Sequence, residues 1–86
     1  MITGKLSCGF EYQLEDDTLD NMELVDALAE ADGGDITGWS RVLVLLLGKP
    51  QRKALYDHLR NAAGRVPLDA VVSAVGELLA NTRGKN

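Results

Sequence analysis

The densest apolar run in the chain is Val42-Leu43-Val44-Leu45-Leu46-Leu47, six aliphatic residues closed by Gly48. Periodicity alone does not separate a buried strand from a helix over so short a run. Here leucine outnumbers the β-branched residues, and Trp39 extends a Trp39/Val42/Leu43/Leu46/Leu47 stripe at helical spacing. Asp35 or Thr37 offers a cap, and Gly48 with Pro50 just beyond supplies a stop, so the pattern predicts a helix over about 37–47. Val44 and Leu45 fall off that stripe. One neighbouring element cannot cover them, so the helix is either wrapped by several elements or presents apolar surface to a partner.

The flanking segments carry weaker patterns of the same kind. Leu6, Cys8, Phe10, Tyr12 and Leu14 alternate around Gly9, which predicts a hairpin over about 5–14 turning at Cys8-Gly9, or one bent strand. Leu19, Met22, Val25, Leu28 and Ala29 recur at helical spacing behind Asp17 or Thr18 as cap, giving a helix over about 18–31 stopped by Asp32-Gly33-Gly34-Asp35. A third helix, about 50–63, has Pro50 in its first turn and Leu55, Tyr56, Leu59 and Ala62 inward. Val66-Pro67 opens a fourth, about 67–81, with an inward stripe of Leu68, Val71, Val72, Val75, Leu78 and Leu79. Gly76 interrupts it, either weakening the helix or permitting close approach of a neighbouring helix. Residues 82–86 read as a flexible polar tail. The expected fold is mainly α: a short N-terminal β-hairpin followed by a compact four-helix domain spanning 1–86.

Composition sharpens this picture in two places. A single domain of 86 residues buries only roughly 60–65% of its unfolded surface, so a partner or a homo-oligomer would add needed stability. Charge is also segregated: residues 1–35 hold ten acids and one base, whereas residues 36–86 hold three acids and eight bases. Opposite halves can dock internally or head to tail between copies. The lone Cys8 forms no internal disulfide, and the absence of a leader or long apolar span points to the cytoplasm.

Candidate chemistry is sparse. Asp16, Asp17 and Asp20 gather acids, but helix capping accounts for them, and Asp32 to Asp35 lacks the downstream glutamate of a calcium loop. His58 has no second histidine or cysteine at metal-binding spacing. There is no glycine-rich phosphate loop and no paired nucleophile and base, so no enzyme, cofactor or metal is expected. Residues 17–25 resemble the attachment site of acyl carrier proteins, yet Thr18 stands where that family needs serine. The third and fourth helices resemble a winged-helix pair, but the reading helix would carry Asp69 and Glu77 and no base before Arg83, against the phosphate contacts that dominate nucleic-acid affinity.

The whole layout carries a further resemblance. The succession Gly9-Phe10-Glu11-Tyr12, Glu23-Leu24-Val25-Asp26-Ala27-Leu28, Val44 to Gly48, Lys53-Ala54-Leu55, His58-Leu59-Arg60 and Gly64-Arg65-Val66 to Leu79 resembles small tail-assembly chaperones of long-tailed phages and prophages of Gram-positive bacteria. That resemblance implies a non-enzymatic protein of the host bacterial cytoplasm that binds the phage tape-measure protein and tail-tube subunits during tail morphogenesis. The alternative is a generic small helical protein–protein interaction module or regulator. From periodicity and charge, the expected partner-binding set is Trp39, Val44 and Leu45 for apolar docking, with Arg52, Lys53 and Arg60 meeting the acidic half of a second copy.

Overall fold

The computed structural model describes residues 1–83. Its architecture is the expected one, a two-stranded antiparallel hairpin followed by four helices. Strand β1 (Ile2–Lys5) pairs with β2 (Glu11–Leu14) in the register Ile2↔Leu14 through Lys5↔Glu11, a true hairpin rather than a bent strand. Its turn closes where the Leu6 N–H donates to the Phe10 carbonyl and the Gly9 N–H to the Leu6 carbonyl, both at 2.8 Å. Leu6, Phe10, Tyr12 and Leu14 are buried as the alternation requires, whereas Cys8 is exposed on the turn.

Two strands alone are marginal, and this pair is pinned to the helices at three points. The Gln51 side-chain amide accepts from the Gln13 N–H (2.8 Å) and donates to the Gln13 carbonyl (2.7 Å), capping the outer edge of β2 as a third strand would. His58 Nε2 lies 2.8 Å from the Cys8 carbonyl oxygen. The Ser7 N–H and hydroxyl donate to the two carboxylate oxygens of Glu77 at 2.9 and 2.7 Å.

The Ser7 hydroxyl, then the Ser7 N–H, hold the Glu77 carboxyl below its ordinary pKa. A carboxylate with a folded pKa below its unfolded one adds stability above the unfolded value and loses it as pH falls through the folded value. The stability advantage of the native chain over Glu77→Gln is therefore expected to be full near neutrality and to shrink between about pH 5 and 3. Urea midpoints of both proteins across that range check this; a gap that stays constant would refute it.

The helices depart from the sequence expectation mainly at their ends. Helix α1 (Met22–Asp32) starts later than position 18, because Asn21 is the cap and accepts from the Glu23 N–H at 3.0 Å. Asp17 and Thr18 instead sit in tight turns before it, and the Thr18 hydroxyl donates to the Leu45 carbonyl at 3.3 Å. Helix α2 (Thr37–Leu47) has the expected bounds, with Asp35 Oδ1 accepting from the Thr37 N–H and hydroxyl. Gly48, at φ 82°, lets the chain turn at once into α3 (Lys49–Leu59). Helix α3 stops four residues short of position 63 because the Asn61 side-chain oxygen accepts from the Ala63 and Arg65 N–H groups and folds the chain into a loop. Ala62 is accordingly exposed, not inward. Helix α4 (Leu68–Arg83) runs past position 81; Thr82 is buried with its hydroxyl on the Leu78 carbonyl, so the expected tail is helical at its first two positions. The rest of that expected tail, 84–86, lies outside the described residues.

Helix α2 is the centre of the packing: α1, α3, α4 and β2 all lie against it. Val42, Leu43, Leu46 and Leu47 face inward, joined by Leu24, Ala27, Leu55, Val71, Val75 and Leu78. Helices α1 and α2 approach closely at Gly38. A Cβ on Gly38 would meet the Ala31 backbone nitrogen at 2.8 Å and its Cβ at 2.9 Å. Small residues on both sides let the two helices approach, and this fixes how α1 is rotated about its own axis.

That rotation corrects the expected inward stripe of α1. Leu24, Ala27 and Ala31 are the buried positions, with Leu28 and Leu19 half-buried, whereas Met22 (68% exposed), Val25 (49%) and Ala29 face out. The α4 stripe is corrected in the same sense. Val71, Ala74, Val75 and Leu78 are buried, Val72 and Leu79 are half-buried, and Leu68 is exposed.

Candidate functional site

Met1, Ile36 and Leu68 are exposed singly, but other apolar residues that the core leaves uncovered gather in one place. Val25, Leu28 and Ala29 from α1, Trp39 from α2, and Val72, Gly76 and Leu79 from α4 line one open groove of about 510 Å³, with Asp32 at its edge. The groove exists because α1 and α4 both pack on α2 but barely on each other. Its floor is α2, where Trp39 stands half-buried, and its walls are the outward rows of α1 and α4. Met22 extends the α1 row, one helical turn before Val25.

Six of these side chains belong to stripes that the sequence pattern assigns to the interior. Each helix carries more apolar positions than one packed face takes, and the surplus of three helices meets along one line. Gly76 is the remaining element. A Cβ added there would meet nothing within 4 Å, so internal packing gives no reason for a glycine in mid-helix. Relative to alanine it costs roughly 1 kcal/mol of helix stability.

The expected partner-binding residues do not form one surface. Trp39 lines the groove, but Val44 and Leu45 follow it by five and six positions, roughly 140° and 240° around a helix of 3.6 residues per turn. Val44 is half-buried beside a separate hollow of about 300 Å³ near Leu14, Thr18 and Gln51. Leu45 lines the same hollow while also packing half-buried against the core, and its carbonyl accepts from the Thr18 hydroxyl. The cations are engaged within the chain. Arg52 donates to the Ser40 hydroxyl at 2.8 Å and lies 5.8 Å from the Tyr56 ring centre. Lys53 and Arg60 both pair with Asp57, at 3.1 and 2.9 Å, and Arg60 also donates to the Gly64 carbonyl. Arg60 first, then Lys53, hold the Asp57 carboxyl below its ordinary range. The basic cluster thus carries a local counterion, and it is spent on the surface of α3 rather than held beside Trp39.

The rest of the described molecule has less chemistry to offer. A shallow hollow of about 640 Å³ at the hairpin, of mixed polarity, is lined by Thr3, Gly4, Lys5, Glu11, Tyr12, Gln13 and Gln51, and Gln51 already occupies the Gln13 backbone groups. Among the described residues, no three His, Cys, Asp or Glu side chains converge as a metal ion requires. None of the described helices is long and apolar enough to cross a membrane.

Sequence reasoning missed Val25, Leu28, Ala29, Val72, Gly76 and Leu79 as site residues. The signal for them was present as excess: stripes wider than one buried face on α1 and α4, and a helical glycine with no turn to make. No family model matches the chain, and no curated protein or solved structure matches it.

Proposed function

We propose that this protein is a non-enzymatic assembly chaperone of the kind its sequence resembles. It holds the apolar face of the long helical tape-measure protein of a phage tail and gives that protein up as tail-tube subunits arrive. The observation that carries this reading is the groove between α1 and α4, an open, helix-lined apolar channel beside the closed core. An amphipathic helix laid in such a groove buries its apolar stripe and is kept from aggregating. Work of this kind takes place in the host bacterial cytoplasm, where tails are built, and needs no cofactor. Self-association along the tape-measure helix fits the opposite charge of the two halves of the chain.

Co-expression with a phage tape-measure protein tests the reading. The native chain is expected to move the tape-measure protein from the insoluble to the soluble fraction, and Val25→Gln/Val72→Gln to lose that effect at an unchanged melting temperature. No gain in solubility with the native chain at matched expression would overturn it. Rescue that survives the double variant would place the binding elsewhere than in the groove.

A further inference from the structure

The groove carries more information than its apolarity, because one edge is charged in a way that the fold does not explain. Asp32 lines it and is the last residue of α1. A carboxylate at a helix C-terminus opposes the negative end of the helix dipole. Helix α1 has no base in its last turn, and among the described residues Asp32 has no ion-pair partner. The other acids of α1, Glu23, Asp26 and Glu30, lie on a different face, around a separate hollow with Arg41, so on this wall the charge is that of Asp32. On the opposite wall, Asp69 falls on the helical row of Val72, Gly76 and Leu79. None of the residues lining the groove is basic.

We propose that the groove is built for an amphipathic helix of another protein whose apolar stripe is flanked by lysine or arginine, with a cation against Asp32 and close backbone approach at Gly76. This rests on the docking role given to the groove above and adds the chemistry of the occupant. Two independent features converge on it. The acidic edge without a base selects a cationic flank, and the open space over Gly76 admits a helix more closely than any other residue would. A second copy of this chain does not fit. Its own outward apolar rows, on α1 and α4, carry no base before Arg83, and its exposed cations lie elsewhere: Lys5 on β1, Arg41 on α2, Lys49 and Lys53 on α3, and Arg60 and Arg65 just after it.

Trp39, the single tryptophan, stands in the groove and reports on it directly. The test titrates the native chain with three synthetic helices of about four turns. They share one leucine/alanine stripe and carry lysine, glutamine or glutamate on its flanks. The lysine peptide is expected to shift Trp39 emission and to bind on the order of tenfold more tightly than the glutamine peptide at low salt, with the advantage fading as salt rises. The glutamate peptide should bind weakest. Asp32→Asn/Asp69→Asn should reduce the lysine preference without loss of the glutamine peptide, and Gly76→Leu should abolish binding of all three while leaving the melting temperature at or above that of the native chain. Equal affinity for the lysine and glutamine peptides, or undiminished binding to the Gly76→Leu protein, would overturn the proposal. If the native chain still solubilises the tape-measure protein through Val25 and Val72 while the lysine peptide does not bind, the cationic occupant is wrong and the chaperone reading stands.

Discussion

Gly38→Ala and Gly76→Ala are expected to move stability in opposite directions, although both exchange a helical glycine for the best helix former. Propensity favours alanine by up to roughly 1 kcal/mol at either site. At Gly76 nothing opposes that gain, since the new methyl group meets open space, and the variant should be more stable than the native chain by about 0.5–1 kcal/mol. At Gly38 the new methyl group would lie 2.8 Å from the Ala31 nitrogen, 2.9 Å from its Cβ and 3.0 Å from its Cα. Two of those atoms are backbone, so no rotamer change relieves the overlap and α1 must move off α2. Overpacking of this sort costs about 1–3 kcal/mol, a large share of the roughly 4–13 kcal/mol expected for a domain of this length. Urea midpoints with unchanged m-values would measure both shifts. A Gly38→Ala protein as stable as the native chain would mean that the α1–α2 approach is not the constraint that rotates α1.

This contact also explains why the sequence read well at the level of elements and poorly at the level of faces. Thr37 to Leu47 was legible because its apolar run is flanked by local signals, a capping Asp35 and the stop at Gly48, which act within a few residues. The rotation of α1 was not legible, because it depends on Ala31 meeting Gly38, residues that carry almost no hydrophobic signal. A stripe count favours Met22 and Val25 over two alanines, since larger side chains bury more area. Close packing decided otherwise, and the displaced side chains became one wall of the groove. The end of α3 was hidden for a different reason: Asn61 competes for the backbone through its own side chain, a local effect that apolar periodicity does not register. In the expected cationic contact set, Lys53 and Arg60 also carry a partner within the chain, because Asp57 sits within one turn of both. The surplus of apolar positions was thus visible from the start, whereas where it came to the surface was set by the close approach of Ala31 and Gly38.

Leu43→Ala should be among the most damaging single substitutions, and Val44→Ala, one residue on, among the mildest in the same helix. Leu43 is fully buried, at the point where α2 meets the other helices. Truncating such a leucine to alanine costs about 2–5 kcal/mol, the spread reflecting how far the site collapses into the cavity. Measured against a total of roughly 4–13 kcal/mol, that places the variant near the edge of folding at ordinary temperatures. Val44 is half-buried beside an open hollow, so its loss removes less area, leaves no closed cavity and should cost less than about 1 kcal/mol. Parallel urea titrations of the two proteins give the comparison directly, and a Val44→Ala cost equal to that of Leu43→Ala would mean that α2 is buried on all sides. The consequence reaches the groove as well. Because α1 and α4 are held by α2 and hardly by each other, a cavity under Leu43 loosens both walls together. Under conditions where Leu43→Ala remains folded, it should therefore bind the lysine-flanked helix more weakly than the native chain, whereas Val44→Ala should bind it equally well.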